Sequence, residues 1–558
     1  MSIDTVERVL LKKLEEACSP QLYTYAKGEL DTFYARCYEQ FDERAAHTDR
    51  EGQPRLIRYD RYGNDVSQVW VNEGYKKTVE ETYNTGIVGY VHKPIPKLGS
   101  TGNYSYSFAQ GYVLSQVEPG FYCPVTLTMA VAYLIDHYAD ETIKQRFLPH
   151  VLATGDVELY EGATFLTERQ GGSDVGANEV RAVKEGDHYR IYGEKYFASN
   201  AGQCGVAAVL ARCDDAPPGS KGLSLFLVPW KDENGSINKL YVRRLKDKLG
   251  VRAVPSGEVM FEGAKAYLIG EADQGFYYMM EALNLSRICN SVASLGIMKR
   301  ALVEVKSYTL SRKSFKQRLI DFPMIQESIA KLYARQEIQL SAVFDSIVVY
   351  DEVTHKGNGD PYLNRLLIAL LKARTAEEAI AFSHEAIEIH GGNGYIEDFV
   401  TSRLLRDAQV LTVWEGTENI LALEVLRLIT NYEGEARFFK EINRQLTKAK
   451  LQMSDHVFAD VEQHIQGLTA DFAYLSSCNK EEQTLHVRLI SRKMVDLLLV
   501  VHGYARIEDH RDHVLANIYR KTIWHSNTLD KEKLATQFIE EIIREKDAVL
   551  STSDKSTS

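Results

Sequence analysis

The chain has 558 residues, 44% of them hydrophobic and 26% charged, a composition of ordinary globular domains and a length that exceeds one core, so about three or four domains are expected. A formal net charge of −11 argues against whole-protein attraction to nucleic acid or anionic membrane. No apolar run approaches the ~20 residues that cross a bilayer.

Along the chain, the start "MSIDTVERVLLKKLEEACS" mixes acids and bases and lacks a signal-peptide cleavage pattern. Residues 1 to 155 read mainly as helix, with charged, glycine-containing loops such as "HTDREGQPRLIRYDRYGND" at 47–65. The segment 123–156 reads as a buried helix followed by an amphipathic one entered through Asp140. Near residue 160 the texture changes. "HYRIYGEKYFASN", "CGVAAVLARC", "GLSLFLVPW", "KLYVRRLKD" and "GEVMFEGA" are short β-rich runs between turn signals such as "EGD" and "ENGS". Helix returns at about 275, where Ile288, Val292, Leu295, Met298, Leu302 and Val305 form a stripe at helical spacing. More helices follow, broken by "HKGNGDP" at 355–361, and a last helical segment runs from 431 into a Ser/Thr-rich tail expected to fray. The longest apolar stretch, "VDLLLVVHGYA" at 495–505, is short and carries Asp496 and His502. Helices, then β, then helices make an α+β protein, not an alternating doubly wound one. Seven scattered cysteines (Cys18, Cys37, Cys123, Cys204, Cys213, Cys289, Cys478) without CxxC spacing fit a reducing, cytoplasmic setting and no structural metal. The final "DKSTS" is no peroxisomal address.

Four motifs carry chemistry. "TFLTERQGGSDVGA" at 164–177 joins hydroxyls to paired glycines that let backbone approach a ligand closely; alone, it is equally a turn into the β region. "EKYFASN" at 194–200 sets an aromatic two residues before a serine at a strand end. "SRKSFKQRLIDFPMIQ" at 311–326 is a cluster of basic, hydroxyl and aromatic residues, otherwise readable as a surface charge run. "IHGGNGYIEDFVTSRLLRDAQVLTVWEGTENI" at 389–420 interrupts an apolar pattern with glycines and ends on a lone carboxylate, Glu415. A solvated acid at a helix start is the plain reading of that residue, and a buried general base is the sharper one. His390 reads as a packing residue, and Cys204 and Cys213 as strand interior.

In this order and spacing, the four motifs resemble the acyl-CoA dehydrogenase family over residues 120–430, and "CPVTLTMA", "TERQGGSDVGAN", "RLKDKLG" and the proline of "DFPMIQ" are most similar to its AidB-like branch. The resemblance implies an N-terminal helical domain (1–158), a central β-barrel (159–274), a C-terminal four-helix bundle carrying the glutamate (275–430) and an additional helical domain (431–558). It implies FAD as cofactor. Phe165, Leu166 and Thr167 would edge the flavin with Gly172 and Ser173 beside them, and Phe197, Ala198 and Ser199 would lie against its ring. Arg312, Ser314 and Phe315 would reach a neighbouring subunit's FAD pyrophosphate, a diphosphate suiting a guanidinium fork. Gly391 and Gly392 would back the adenosine half, with Trp414, Thr417 and Asn419 as further contacts. Ser173, Asn284, Arg287 and Gly416 would meet the acyl-CoA. Three positions depart from the family's usual pattern: Lys316 stands where glycine is common, Pro323 where glutamine is, and Asn284 where an acid is frequent.

The reaction so implied is α,β-dehydrogenation of a fatty acyl-CoA to the trans-2-enoyl-CoA. Glu415 would take the α-proton while a hydride passes to flavin N5, with an electron-transfer flavoprotein as acceptor and a dimer-of-dimers homotetramer as assembly. A weakly acidic α-proton calls for a carboxylate whose pKa burial has raised, and for fixed donors at the developing enolate. The alternative is a flavin- or acyl-CoA-binding regulatory or DNA-associated protein with weak dehydrogenase activity. Residues 431–558 hold 18 Lys/Arg against 20 Asp/Glu, a poor match to counterion-release binding of DNA. An acyl-CoA oxidase would differ chiefly in oxygen access, which sequence does not show.

Overall fold

The computed structural model describes residue 3 and residues 7–355 and 357–544; the Ser/Thr-rich tail lies outside them. Contacts divide the chain into two units. One comprises Cys37–Ile297 with Arg403–Leu421, and the other comprises the residues up to Arg36, Met298–Ser402 and those from Ala422 onward.

The helices that begin in order are α1 (Arg8–Ala17), α2 (Pro20–Arg36) and α3 (Asp42–Arg50). The charged segment at 47–65 is not all loop: β1 (Arg55–Tyr59) and β2 (Asp65–Trp70) pair as an antiparallel hairpin. β1 is exposed along nearly its whole length, so no alternation marks it, whereas β2 buries Ser67 and Val69 on one face. A two-stranded hairpin is marginal alone; here the Arg55 guanidinium sits 4.4 Å from the Trp70 ring centre, and the Ser67 hydroxyl accepts the Val242 amide at 2.9 Å. Then follow α4 (Glu73–Tyr83), α5 (Tyr104–Ser115), α6 (Pro119–Tyr138) and α7 (Glu141–Val151). All twelve residues of α5 are buried. Helix α6 starts at Pro119, where Glu118 accepts from the Gly120 and Phe121 amides, and α7 starts where Asp140 accepts from Ile143.

The strands are β3 (Gly162–Phe165), β4 (Arg181–Glu185), β5 (His188–Ser199), β6 (Val206–Cys213), β7 (Leu223–Pro229), β8 (Leu240–Leu245) and β9 (Ser256–Ile269). The pairings β6–β4, β4–β5, β5–β9, β9–β7 and β7–β6 close a five-stranded barrel, with β3 added in parallel on β6 and β8 on β9. Closure leaves few open edges. The five β-rich runs of the sequence are β5 to β9; the short β3 and mostly exposed β4 are additional. Phe165, Ile191, Val209, Phe226, Val259 and Phe261 fill the interior.

Helix α8 (Gly275–Ser311) leads to a small hairpin, β10 (Lys313–Ser314) with β11 (Gln317–Arg318), and then to α9 (Pro323–Thr354), α10 (Pro361–His390), α11 (Val400–Leu411) and α12 (Glu418–Asn431). The additional helices are α13 (Gly434–Ala449), α14 (Asp455–Ser477), α15 (Lys480–Ala505) and α16 (His510–Trp524). The apolar run at 495–505 is the buried end of α15, and no described helix is long and apolar enough to cross a membrane. Glu337 of α9 accepts two bonds from Arg511 of α16, at 2.7 and 2.9 Å, with Arg8 and Arg506 near. Burial opposes its charge, yet the three guanidiniums pull its pKa down to about 2.

In the first unit Glu161 is buried and its carboxyl is pushed up to about 8 by desolvation. The Thr128 hydroxyl donates to the Pro124 carbonyl and accepts from the Gly162 amide, and the Tyr83 hydroxyl lies 2.7 Å from it. Tyr83 also donates to Glu161 Oε1 at 3.2 Å, which pulls the carboxyl down by less than burial pushes it up, so its proton is held up to about 8. The unfolded chain sheds this proton near the ordinary 4.5 and the folded chain near 8. Between those values the folded state holds the extra proton, and stability falls as pH rises, by roughly 1.4 kcal/mol per unit. Glu161→Gln should therefore raise the melting temperature over wild type at pH 8, with the advantage gone near pH 4.5. Equal melting curves at both pH values would refute a protonated Glu161.

Candidate active site

Helix α11 ends at Leu411, where the Asn290 side chain donates to the Leu411 carbonyl at 3.2 Å, and the chain turns sharply before α12. Two residues of that turn take left-handed backbone: Glu415 at φ 61° and Gly416 at φ 104°. For glycine this is easy, but for glutamate it is strained, by about 1–3 kcal/mol. The restraint is visible. Arg287 Nε of α8 donates to the Glu415 carbonyl at 3.1 Å, and Arg287 Nη1 donates to Asn284 Oδ1, also at 3.1 Å. Asn284 and Arg287 are both buried, so they brace the glutamate turn from beneath. The Cys123 thiol of α6 and the Cys289 thiol of α8 are each pushed up to about 12, mainly by burial, with the Glu415 charge adding to the push. Trp414 is half-buried, whereas Thr417 and Asn419 are exposed.

In the same unit the barrel offers a second surface. Phe165 and Ala198 are fully inside the core, so only their backbone is available to a ligand. Leu166 and Thr167 are half-buried. The Thr167 carbonyl accepts from the Tyr196 amide at 2.9 Å, which sets Thr167 beside Phe197. The Phe197 ring is 53% exposed and makes an edge contact with Tyr196, while Lys246 sits 3.3 Å from the Tyr196 ring centre. Ser199 pairs across the sheet with Ser256, their hydroxyl oxygens 3.3 Å apart. A side chain at Gly172 would come within 2.6 Å of the Thr167 hydroxyl; glycine keeps that hydroxyl clear. Ser173 lines an open cleft of about 500 Å³ together with Val175, Gly219, Ser220 and Phe276.

The sequence reading did not single out what holds this strand end. Lys195 is 0% exposed, and its ammonium donates to Glu168 Oε1 at 2.7 Å and to the Leu166 carbonyl at 3.2 Å. Glu168 also accepts from the Glu179 and Val180 amides. Burial pushes Lys195 down to about 8, against the pull of Glu168. The signal was in the alternation: counting by twos from core residue Ile191 places Lys195 inward.

The remaining candidates belong to the other unit. Phe315 (φ 49°) and Lys316 (φ 70°) form the two-residue turn of the β10–β11 hairpin, the turn in which both residues need left-handed backbone. That is why glycine suits the position Lys316 holds. Phe315 is 88% exposed, Arg312 is exposed and Ser314 half-buried. Gly391 (φ 62°) ends α10, and neither it nor Gly392 has an atom within 4 Å of where a side chain would begin. His390 is buried, bonded to the Ala386 carbonyl and stacked on Tyr308, a packing role. None of the seven cysteines is in a disulfide, and no metal-holding cluster is found among the described residues.

Residues 163–264 match the middle domain of acyl-CoA dehydrogenases, and residues 273–429 match their C-terminal domain. "Acyl-CoA dehydrogenase family member 11" of Caenorhabditis elegans is 30% identical over 461 residues, 80% of this chain and 73% of that one. The chain belongs to the acyl-CoA dehydrogenase family. Residues 10–155 match the N-terminal domain of adaptive response protein AidB, and the putative acyl-CoA dehydrogenase AidB of Escherichia coli is 28% identical, covering 68% of this chain and 70% of its own. This acyl-CoA dehydrogenase is therefore of the AidB-like branch, an oxidoreductase by descent. Two solved structures share its architecture: Bd2924 in its apo form (TM-score 0.80, 27% identity, 89% of this chain and 96% of that one) and Caenorhabditis elegans ACDH-11 in complex with C11-CoA (TM-score 0.84, 24% identity, 97% and 94%). The second covers the additional helices as well, and its likeness concerns the fold alone.

Proposed function

We propose that this protein is an FAD-dependent acyl-CoA dehydrogenase in which Glu415 removes the α-proton of a fatty acyl thioester. The observation that carries the reading is Glu415 itself: a carboxylate on a strained turn, braced by Arg287, in one unit with the exposed Phe197 ring and its flanking hydroxyls. Strain of this kind persists where surrounding structure fixes it for use. The barrel residues fit a flavin. An exposed ring, the open Thr167 hydroxyl and the Ser199–Ser256 pair suit a flat heterocycle with an apolar face and a polar edge. Leu166, Thr167, Phe197 and Ser199 would hold that ring, and Trp414, Thr417 and Asn419 would extend the contact; Arg312, Ser314 and Phe315 would reach a neighbouring subunit's FAD pyrophosphate, and Gly391 and Gly392 would back an adenosine half. When bound, FAD supplies the acceptor for the β-hydrogen.

The chain's own residues supply the rest. Glu415 takes the α-proton, and its carboxylate is held in place because its own carbonyl is tied down by Arg287. Gly416 gives room beside it, and the Ser173 cleft suits the polar tail of the CoA. Burial of Asn284 and Arg287 makes them supports of the turn that the thioester meets. The AidB-like kinship and the C11-CoA complex of a similar fold favour starting with thioesters of medium chain length. We take an electron-transfer flavoprotein as acceptor, a homotetramer as assembly and the cytoplasm as location.

Anaerobic titration of the FAD-loaded protein with straight-chain acyl-CoAs tests the reading. The yellow flavin should bleach at one equivalent of a suitable thioester, with enoyl-CoA as product. If thioesters of every length bind without bleaching, a flavin- and acyl-CoA-binding regulatory protein is the better description.

A further inference from the structure

The segment "KDKLGVRAVPS" at 246–256 joins β8 to β9, and it is tied at both ends to parts of the site. At one end lies α11, the helix that leads into the Glu415 turn. The Val251 amide donates to Asp407 Oδ1 at 2.5 Å, and Arg406 Nη1 donates to the Leu249 carbonyl at 3.2 Å. Gly250 packs so close that a side chain there would stand 2.2 Å from the Arg406 carbonyl oxygen. At the other end, the Lys248 ammonium donates to the Val251 carbonyl at 2.8 Å, to the Val254 carbonyl at 2.6 Å and to Ser256 Oγ at 3.4 Å. Ser256 is the residue whose hydroxyl meets Ser199 at 3.3 Å. Between these ties Val251, β-branched and buried, is held at φ 45°. A β-branched residue adopts that backbone only when its neighbours over-determine it.

We propose that this loop is a strut that keeps the Glu415 turn and the Ser199–Ser256 hydroxyl pair in fixed register, with Lys248 and Asp407 as its positioning residues. It rests on the reading of the site as a flavin dehydrogenase. Proton removal and hydrogen loss from adjacent carbons need the base and the flavin held in fixed relation, and misplacement by about 1 Å costs rate far more than affinity. Neither residue is assigned contact with substrate. Lys248 acts by shaping the loop and orienting the Ser256 hydroxyl, and Asp407 acts by pinning Val251 to α11.

The test uses the full-length, FAD-loaded protein with three substitutions: Lys248→Met, Asp407→Ala and Asp407→Asn. Asparagine keeps a carbonyl oxygen for the Val251 amide, and alanine does not. Lys248→Met and Asp407→Ala should lower kcat by about tenfold or more while KM stays within about twofold, the pattern of an interaction needed in the transition state. Both should also alter the visible circular dichroism of the bound, oxidised flavin. Asp407→Asn should restore both readouts to near wild type. Wild-type kcat and dichroism in Lys248→Met or Asp407→Ala would overturn the strut, as would an Asp407→Asn protein impaired as deeply as the alanine variant. The substitutions lie on separate elements, so if one fails to fold the other still decides. Dichroism is read without substrate. An altered spectrum beside a wild type that no acyl-CoA reduces would sink the dehydrogenase reading and leave the strut standing.

Discussion

Glu415→Gln should give a yellow, FAD-loaded protein that binds acyl-CoA and does not bleach with it. The substitution keeps the shape and the backbone carbonyl that Arg287 holds, so the turn has no reason to move. What goes is the proton acceptor. General-base assistance is worth about 10²–10⁴-fold, and loss of that order in the rate of flavin reduction, with thioester affinity retained, is the expected result. Stopped-flow reduction with titrated acyl-CoA measures both. A variant that reduces its flavin at the wild-type rate would mean that the α-proton leaves by another route, and Glu415 would return to the plain role of an acid near a helix start. Glu415→Asp is the useful companion. It keeps the charge but draws it back by one methylene, and an intermediate rate would show that reach matters as well as basicity.

The second large effect should come from Lys195→Met. The side chains of Lys195 and Glu168 are 0% and 6% exposed and meet at 2.7 Å. Breaking such a pair by removing one partner leaves a buried charge without compensation and costs about 3–5 kcal/mol. Glu168 keeps its two amide donors, so the loop 168–180 should survive in part. The Leu166 carbonyl, however, loses one of its two donors, the other being Asn178. The strand end next to Thr167 should loosen, and FAD should be held more weakly. Chemical denaturation and flavin release measure the two consequences. Adding Glu168→Gln to Lys195→Met removes the stranded charge and should recover part of the stability. A single variant as stable as wild type, or a double variant worse than the single, would contradict this account.

How much of this the sequence disclosed depends on how far each feature reaches along the chain. The five β runs were legible because β-rich composition and turn residues are local, and Gly186 at φ 64° between β4 and β5 is where the "EGD" signal fell. The turn at Glu415 was legible through the glycine beside it. That Glu415 itself would take left-handed backbone was not, since glutamate has no such preference and the restraint comes from Arg287, 128 residues away. The same holds for Asp407 and Val251, which are 156 residues apart. Arg287 and Asn284 could be placed on a helix by spacing, but that they face each other and a backbone carbonyl is a fact of packing. The β1–β2 hairpin escaped because β1, exposed along nearly its whole length, carries no periodic signal, and β2 buries only Ser67 and Val69. Lys195 was the reverse: its inward position was written in the alternation, and its charge disguised it as a surface residue.

Glu337 knots together segments that lie far apart in the sequence. It sits on α9 and gathers Arg8 from α1 with Arg506, just past α15, and Arg511 of α16, while Asp512 takes the Arg8 guanidinium at 2.5 Å. The additional helices are therefore not cargo carried behind a finished enzyme. Arg8 has its matching charges only when residues 506–512 are in place, so α1, α9 and the additional helices should melt as one.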